Sequence, residues 1–239
     1  MKGTLYLLPV PLGEVSPEQV IPHYVQGLLN RIDHYAVEDL RSARRYLKKA
    51  GIAKAIDDLR FYLLDEHTKE ADLSPLLDLL KSGKTLGIMS EAGVPAVADP
   101  GARLVDLAHR LDIRVVPLVG PSSILLALMA SGMNGQNFQF HGYLPIKNPR
   151  RINSLKQIEK QARETGNTQI FMETPYRNMS LLEDILQACR DETRLCIAAE
   201  ITLPGEFIKT KAVREWRKKL PDLHKRPAVF LIGCEKLLS

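Results

Sequence analysis

The first half of the chain alternates short apolar runs with stretches in which apolar residues recur every three or four positions. Short apolar runs predict strands, and the longer amphipathic stretches predict helices between them. Strands that alternate with helices are typical of a mostly parallel sheet. The predicted strands are 5–8, 35–37, 61–64, 85–89 and 114–119, and the predicted helices are 18–32 with a break near Gly27, 39–49, 71–80, 102–111 and 124–130.

The pattern changes after the Gly- and Asn-rich stretch 131–137, where strands follow one another more closely. This spacing predicts a second α/β domain with a mixed sheet. The fold class is therefore two α/β domains, 1–119 and 120–239, with the boundary between residues 119 and 137. The predicted strands here are 138–140, 168–172, 195–199, 206–210 and 228–232, and the predicted helices are 179–189 and a short one around Trp216.

Composition narrows the class of protein. The chain has 239 residues, 45% hydrophobic content and a net charge of +5, which is ordinary for a soluble protein and permits a nucleic-acid partner. Cys189, Cys196 and Cys234 form no CxxC pair, so we expect free thiols and no metal site. The first apolar run is broken by prolines and the longest, 124–130, is too short for a bilayer, so we expect a cytoplasmic protein without membrane attachment.

Three loops rich in glycine and proline each follow a predicted strand, at 9–13, 90–101 and 119–123. In a parallel sheet such loops project from one edge, where ligands bind. Glycine there lets backbone approach a ligand closely. Neither GxGxxG nor GxxxxGK[ST] is present, so recognition would use backbone groups and shape. The alternative is that each loop is only a tight turn between a strand and a helix.

Six motifs in chain order resemble those of the tetrapyrrole methylase superfamily, the class III S-adenosylmethionine methyltransferases. They are residues 9–13, 37–41, 90–101, 119–123, 140–145 and 173–177. Within that superfamily the chain is most similar to the 16S rRNA 2′-O-ribose methyltransferase I group. It departs from the family pattern at Glu91, where Asp is usual, and at Val94, where Thr is usual.

The resemblance implies that S-adenosylmethionine is the cofactor and that it binds in a cleft between the two domains. Small residues and free backbone groups suit its adenine and amino-acid moieties. By position in the motifs, the implied cofactor contacts are Pro11, Ala92, Gly93, Val94, Val97, Ser122, Ser123, Glu173 and Thr202.

The resemblance also implies methyl transfer to a ribose 2′-hydroxyl, whose high pKa calls for a base. The candidate catalytic residues are Glu38, Asp39, Arg41 and Glu200, with Glu173 as a further carboxylate. For Glu38 and Asp39 the alternative is a role at a helix N-terminus.

Two further residues are candidate contacts to the substrate. Arg177 follows a proline and is a candidate phosphate ligand, with a solvated arginine as the alternative. His141 lies within a matched motif, with a core or surface histidine as the alternative.

Basic residues cluster at 41–49, 147–160 and 214–226. They form either an electrostatic track for RNA phosphates or ordinary solvated helix faces. The implied partners are ribosomal RNA or the small ribosomal subunit and a second copy of the chain in a homodimer. Two alternative functions are methylation of a tetrapyrrole or other small molecule, and RNA binding without catalysis.

Overall fold

The structure, a computed structural model, describes residues 1–234. The chain divides into two compact units, Met1–Ser122 and Ser123–Ser239. Among the described residues, no helix is long and apolar enough to cross a membrane. The three cysteines are free thiols, as the sequence predicted, and Cys189 and Cys196 are buried.

The first unit contains a five-stranded sheet in the order β3-β2-β4-β1-β5, and each pair of neighbouring strands is parallel. This confirms the parallel sheet predicted for the first half. Its strands are β1 (Thr4–Leu7), β2 (His34–Val37), β3 (Arg60–Leu63), β4 (Leu86–Met89) and β5 (Arg114–Pro117). Its helices are α1 (Pro17–Val20), α2 (His23–Leu29), α3 (Leu40–Lys49), α4 (Glu70–Lys81) and α5 (Gly101–Arg110), with a 3₁₀ turn at Ile56–Asp58.

The helix predicted at 18–32 is two helices, and the break is not near Gly27, so that prediction was wrong. The chain leaves the helix at Ile21, which is extended at φ −110° and ψ 122°, and α2 begins after Pro22. Proline disfavours helical geometry in the residue before it, which accounts for the position of the break. Gly27 lies inside α2.

Side chains of the first sheet alternate between two helical layers, as the pleat requires. Leu5, Ala36 and Ile88 pack with leucines of α4 and α5 on one face. Tyr35 and Val37 pack with residues of α2 and α3 on the other face. Because both faces are covered, the strands are almost continuously apolar, which is why they were recognisable from sequence.

The second unit contains a five-stranded mixed sheet in the order β6-β7-β10-β8-β9. Only β6 and β7 are parallel, and the other neighbours are antiparallel, which confirms the predicted mixed sheet. Its strands are β6 (Phe138–Tyr143), β7 (Thr168–Glu173), β8 (Arg194–Ala199), β9 (Phe207–Ala212) and β10 (Ala228–Gly233). Its helices are α6 (Ser123–Ser131), α7 (Arg150–Thr165), α8 (Asn178–Ala188) and α9 (Val213–Trp216).

One face of the second sheet carries the larger core of this unit. The rings of Phe171 and Phe230 are stacked with centroids 6.0 Å apart, among apolar side chains of α7 and α8. Trp216 is buried beside them and donates from Nε1 to the carbonyl of Leu195 at 2.9 Å. Trp216 is the single tryptophan of the chain, so its fluorescence reports on this unit alone.

Gly27 offers a direct test of the helix boundary. It is exposed within α2, and a methyl group at its Cα would meet nothing within 4 Å. Alanine loses less backbone entropy than glycine on entering a helix. We therefore expect Gly27→Ala to raise the free energy of unfolding by about 0.5–1 kcal/mol. Urea unfolding followed by circular dichroism measures this, and a loss of stability would contradict the assignment of α2.

Candidate active site

The three glycine- and proline-rich loops meet at one edge of the first sheet. They follow β1, β4 and β5, which are adjacent in the order β4-β1-β5. Val10 and Gly93 exchange two backbone hydrogen bonds, N to O, at 2.9 and 3.1 Å. Gly120 lies so close to Pro9 that a Cβ at Gly120 would be 2.1 Å from the Pro9 ring. The expectation that the loops share an edge is confirmed.

Gly93 lies where the three loops contact one another. Its φ of +78° is a conformation that L side chains rarely adopt. A Cβ at this position would lie 3.1 Å from Leu12 Cδ2 and 3.2 Å from the carbonyl oxygen of Pro121. Gly93 is therefore the point where the second loop fits between the first and the third.

Asp99 fixes the backbone of the loop that follows Gly93. It was not among the residues predicted from sequence to have a role. Its carboxylate accepts hydrogen bonds from the backbone N–H groups of Ala96, at 2.8 and 2.9 Å, and Gly101, at 2.7 Å. Ala96 and Ala98 both have positive φ, 64° and 60°, and are held there at a cost. Burial raises the pKa of Asp99, although its backbone hydrogen bonds oppose the shift. The Asp-Pro-Gly sequence before a predicted helix is the sequence signal from which this role of Asp99 could have been inferred.

The predicted cofactor contacts of the first unit lie on these loops. Ala92 and Val97 are exposed, whereas Gly93 is buried. Pro11, Val94 and Ser122 are partly buried. The first unit thus presents a backbone cradle with small side chains at this edge of the sheet.

Acidic side chains gather beside this cradle at the ends of β2 and β4. Glu38 Oε2 accepts from the backbone N–H of Glu91 at 3.1 Å. Burial, with the nearby charges of Glu38 and Asp39, raises the pKa of Glu91. In the sequence, Glu91 stands out only as a departure from the family pattern.

Asp39 is the N-cap of α3. Its Oδ1 accepts from the backbone N–H of Ser42 at 2.7 Å. Hydrogen bonds from the backbone and side chain of Ser42 hold the pKa of Asp39 below its usual range. Asp39 therefore has the helix N-terminal role that was the alternative to a catalytic one, and its carboxylate is engaged in that role. Arg41, in the first turn of α3, contributes to the same shift.

In the second unit, the ends of β7 and β8 and the start of β10 are side by side, since Ala228 pairs with both Glu173 and Ala199. Glu173 is buried there. Its Oε1 accepts from Thr174 N at 2.7 Å and from Arg177 Nη2 at 2.6 Å. Burial alone would raise the pKa of Glu173, but the hydrogen bonds from Arg177 and Thr174 and the cationic neighbours lower it.

Arg151 lies behind Glu173 and was missed by the sequence analysis, which saw it only as part of a basic cluster. It is 5% exposed, and its Nη1 lies 4.0 Å from Glu173 Oε2. It also pairs with the buried Asp184 and donates to Ser180 Oγ at 2.8 Å. No sequence signal separates this buried arginine from its exposed neighbours, because its partners lie about thirty residues further on.

Glu200 pairs with Arg226, whose Nε donates to Glu200 Oε2 at 2.7 Å. Arg226 also donates to the carbonyl of Asp222 at 3.0 Å. The turn after β8 is tightly wound, with φ of 50° at Glu200 and 68° at Thr202. Glu206 closes this turn by accepting from Thr202 N at 2.8 Å.

Four buried side-chain atoms of the described residues have no hydrogen-bond partner, and all belong to this edge of the second sheet. They are Glu173 Oε2, Arg177 Nε, Asn178 Oδ1 and Thr202 Oγ1. Asn178 is fixed in place because its Nδ2 donates to the carbonyl of Arg226 at 2.6 Å. Buried polar atoms without partners are costly, so their concentration at one edge marks a place where a ligand can supply the missing hydrogen bonds.

His141 does not join this group. Its Nε2 lies 2.7 Å from Oε1 of the buried Gln169. Gln169 is four residues before Glu173 on β7, which separates the two along the strand by about 13 Å. Ser123 is the first residue of α6 and of the second unit. Within residues 1–234 no three side chains of metal-ligating type are clustered.

Each unit therefore carries polar groups and tight loops at one sheet edge, the arrangement of an α/β enzyme that binds its ligand outside the ends of the strands. Comparison with known proteins identifies the family. The family model for tetrapyrrole (corrin/porphyrin) methylases matches residues 26–216. The chain belongs to this family and is an S-adenosylmethionine-dependent methyltransferase.

Its curated relatives include ribosomal RNA small subunit methyltransferase I of Escherichia coli O157:H7, 32% identical over 98% of this chain and 79% of that protein. The protein of the same name from Streptococcus pyogenes is 35% identical over 96% of this chain and 76% of that protein. Among solved structures, the methyltransferase CobJ has a TM-score of 0.64 at 18% identity, covering 97% of this chain and 94% of that one. Uroporphyrin-III C-methyltransferase from Thermus thermophilus has a TM-score of 0.58 at 19% identity, covering 97% and 94%. At these identities the two structures establish the fold.

Gly93→Ala tests the loop cradle. The added methyl group is strained at positive φ, by about 1–2 kcal/mol, and meets the Pro121 carbonyl. We expect the variant to fold and to bind S-adenosylmethionine at least tenfold more weakly in calorimetry. Gly135→Ala is the matched control, because Gly135 has open space around it. Unchanged cofactor affinity in Gly93→Ala would contradict the assignment of this loop.

The lowered pKa of Glu173 predicts a pH dependence of stability. A carboxyl whose folded-state pKa is below its ordinary 4.5 stabilises the fold above that pH, and the contribution is lost as the pH falls through the folded pKa. Glu173→Gln leaves Arg151 and Arg177 without this partner and should cost about 3 kcal/mol at pH 7.

Urea unfolding followed by Trp216 fluorescence measures this cost. The difference between wild type and Glu173→Gln should shrink below pH 4.5. A difference that stays constant between pH 7 and pH 3.5 would contradict the ionised state of Glu173.

Proposed function

We propose that this protein transfers the methyl group of S-adenosylmethionine to a ribose 2′-oxygen of small-subunit ribosomal RNA. Support comes from relatives named for small-subunit ribosomal RNA methylation, which match 96–98% of this chain. The observation that carries the proposal is the Gly93 cradle with Glu38 anchored beside it, because it joins a cofactor surface to a carboxylate able to accept a proton.

The residues of the chain fit the cofactor. The buried Gly93 lets the three loops approach one another where a side chain would intrude, and the nearby small residues leave room for an adenine and an amino-acid moiety. We propose that Pro11, Ala92, Gly93, Val94, Val97 and Ser122 of the first unit contact the cofactor. In the second unit we propose Ser123, Glu173 and Thr202 for this role. The buried Thr202 hydroxyl and Glu173 Oε2 have no hydrogen-bond partner within the described chain and supply unused hydrogen-bonding capacity.

When bound, the cofactor supplies a methyl group on a sulfonium centre, which needs no metal ion to leave. The chain must hold the ribose oxygen in line with that methyl group and receive the hydroxyl proton. We propose that Glu38 is the proton acceptor. One of its carboxylate oxygens is fixed by Glu91 N–H, so the side chain is oriented while the other oxygen remains available.

The other candidate catalytic residues take supporting roles in this proposal. Asp39 fixes the start of α3 and thereby the position of Glu38, and Arg41 adds positive charge next to both. Glu200 organises the turn that carries Thr202 through its pair with Arg226.

Arg177 and His141 remain our proposed contacts to the RNA. The Nε atom of Arg177 lacks a partner, which supports a role in binding an anion. The ring of His141 is held by Gln169, which would orient the imidazole toward a substrate on β6.

The proposal also covers location and assembly. We propose a cytoplasmic location, because the relatives named for small-subunit ribosomal RNA methylation come from bacteria. We further propose a homodimer, which the exposed apolar side chains of Leu125 and Met129, one turn apart on α6, support. Light scattering coupled to size exclusion should then give twice the mass of 26.8 kDa, and a monomer mass would refute this point.

Methyl transfer from labelled S-adenosylmethionine tests the function. The acceptors are small ribosomal subunits from cells that lack this protein, and digestion of the labelled RNA should release one 2′-O-methylated nucleotide. Label that fails to enter the RNA would refute the proposal. Label that enters a tetrapyrrole instead would favour the small-molecule alternative, and cofactor binding without any transfer would favour a non-catalytic RNA-binding role.

Glu38→Gln tests the proton acceptor. We expect kcat to fall by roughly 10²–10⁴-fold while cofactor affinity is retained. Glu66→Gln is the matched control, since Glu66 is an exposed carboxylate in the loop after β3, beside His67. A kcat for Glu38→Gln within threefold of wild type would remove Glu38 from this role.

A further inference from the structure

A small cavity lies in the first unit between the loop after β1 and helix α3, and Val10, Pro11 and Glu91 line the part of it that adjoins the meeting point at Gly93. Its volume is about 100 Å³, whereas a single water needs only roughly 10–15 Å³ by the same measure. Val15 and Tyr46 form part of its apolar wall, and Ser42 and Glu91 lie on the side toward the start of α3. Arg45 and Lys49 line it further along α3.

Arg45 and Lys49 are one turn apart, so they project from the same side of α3. Both face a single carboxylate, that of Glu14 in the loop after β1. Arg45 Nη2 lies 3.4 Å from Glu14 Oε1, and Lys49 Nζ lies 3.6 Å from Glu14 Oε2. Two positive charges thus share one carboxylate at this end of the cavity, and Glu91 is the other acidic residue of the lining.

These contacts are longer than the best-formed ion pairs of the same unit. Arg103 and Glu70 are 2.9 Å apart, within the usual range for a charge-assisted hydrogen bond. The Glu14 contacts exceed that range, and all three side chains are substantially exposed. Exposed pairs of this kind contribute little, so exchange of Glu14 for another anion has a low cost.

The position of the pair relates it to the proposed reaction. Arg45 is six residues beyond Asp39, which places it about 9 Å along α3 from the acidic end that carries Glu38. A phosphate at Arg45 and Lys49 would therefore hold an RNA backbone close to the proposed proton acceptor. Glu91, which lies near Glu38 at the start of α3, disfavours an anion there, whereas Arg45 and Lys49 favour one further along the helix.

We propose that this cavity is a phosphate subsite for RNA, in which Arg45 and Lys49 bind one backbone phosphate and Glu14 is the counterion that the phosphate displaces. The arginine fork matches two phosphate oxygens, and the lysine adds a point charge. This inference rests on the proposed function, because the RNA substrate supplies the phosphate.

The test measures binding of the wild type and of the double variant Arg45→Ala/Lys49→Ala to unmodified small ribosomal subunits over a range of salt concentrations. Loss of one phosphate contact should reduce the slope of log K against log salt by about 0.7–0.9. At 0.1 M salt this corresponds to roughly five- to eightfold weaker binding. At saturating subunits, methyl transfer should keep its kcat while KM rises.

Glu14→Gln tests the counterion. Removal of the competing carboxylate should tighten binding of the subunits by about two- to fivefold. Glu70→Gln is the matched control for Glu14→Gln, and Arg103→Ala is the control for loss of a cation, removing one positive charge where the double variant removes two. Arg103 and Glu70 form a pair on α5 and α4, which pack on the opposite face of the sheet. Neither control should change the salt slope.

Three outcomes would overturn the inference. The first is that the salt slope of the double variant equals that of Arg103→Ala. The second is that Glu14→Gln binds the small subunits no more tightly than Glu70→Gln does. The third is that calorimetry shows that the double variant loses affinity for S-adenosylmethionine, in which case the anion is the cofactor's carboxylate. If the wild type methylates ribosomal RNA and these variants behave like the controls, only the subsite fails. If the wild type transfers no methyl group to RNA, the proposed function fails as well.

Discussion

The backbone contact between Val10 and Gly93 is the constraint on which the first unit's candidate site depends. Those two hydrogen bonds join the loops after β1 and β4, and the space beside Gly93 is filled by Leu12 and the Pro121 carbonyl. The contact exists only because residue 93 has no side chain and adopts a positive φ. The neighbouring strain at Ala96 and Ala98 is compensated by Asp99, whose carboxylate binds the backbone on both sides of it.

In the second unit, by contrast, the candidate site contains charged side chains that are buried at a sheet edge. Glu173 is stabilised by Arg177 and by the nearby Arg151, and Arg151 is itself neutralised by Asp184. Removing one member leaves an uncompensated buried charge, so such a network holds its members in one arrangement. The atoms of Glu173, Asn178 and Thr202 that lack hydrogen-bond partners lie within or beside this network.

Much of the architecture could be predicted from sequence because the strands are buried on both sides. The run that ends at Met89 was placed as a strand, and the structure has β4 at Leu86–Met89. Helix α7 (Arg150–Thr165) was seen only as a basic segment, because its buried Leu155, Ile158 and Ala162 are sparse among charges. The break near Gly27 was misplaced because glycine was given more weight than Pro22, although an exposed helical glycine is tolerated and the residue before proline is not readily helical.

The sequence by itself determined the alternation of strands and helices, the three loops and the family motifs, because these depend on local periodicity, glycine and proline. Only the tertiary structure decided which charges are paired. Asp39 caps a helix, Glu200 is paired with Arg226, and the buried Arg151 looks like any surface arginine in the sequence. These outcomes depend on partners up to about thirty residues away, and a one-dimensional pattern does not encode which side chains long-range packing will bring within hydrogen-bond distance.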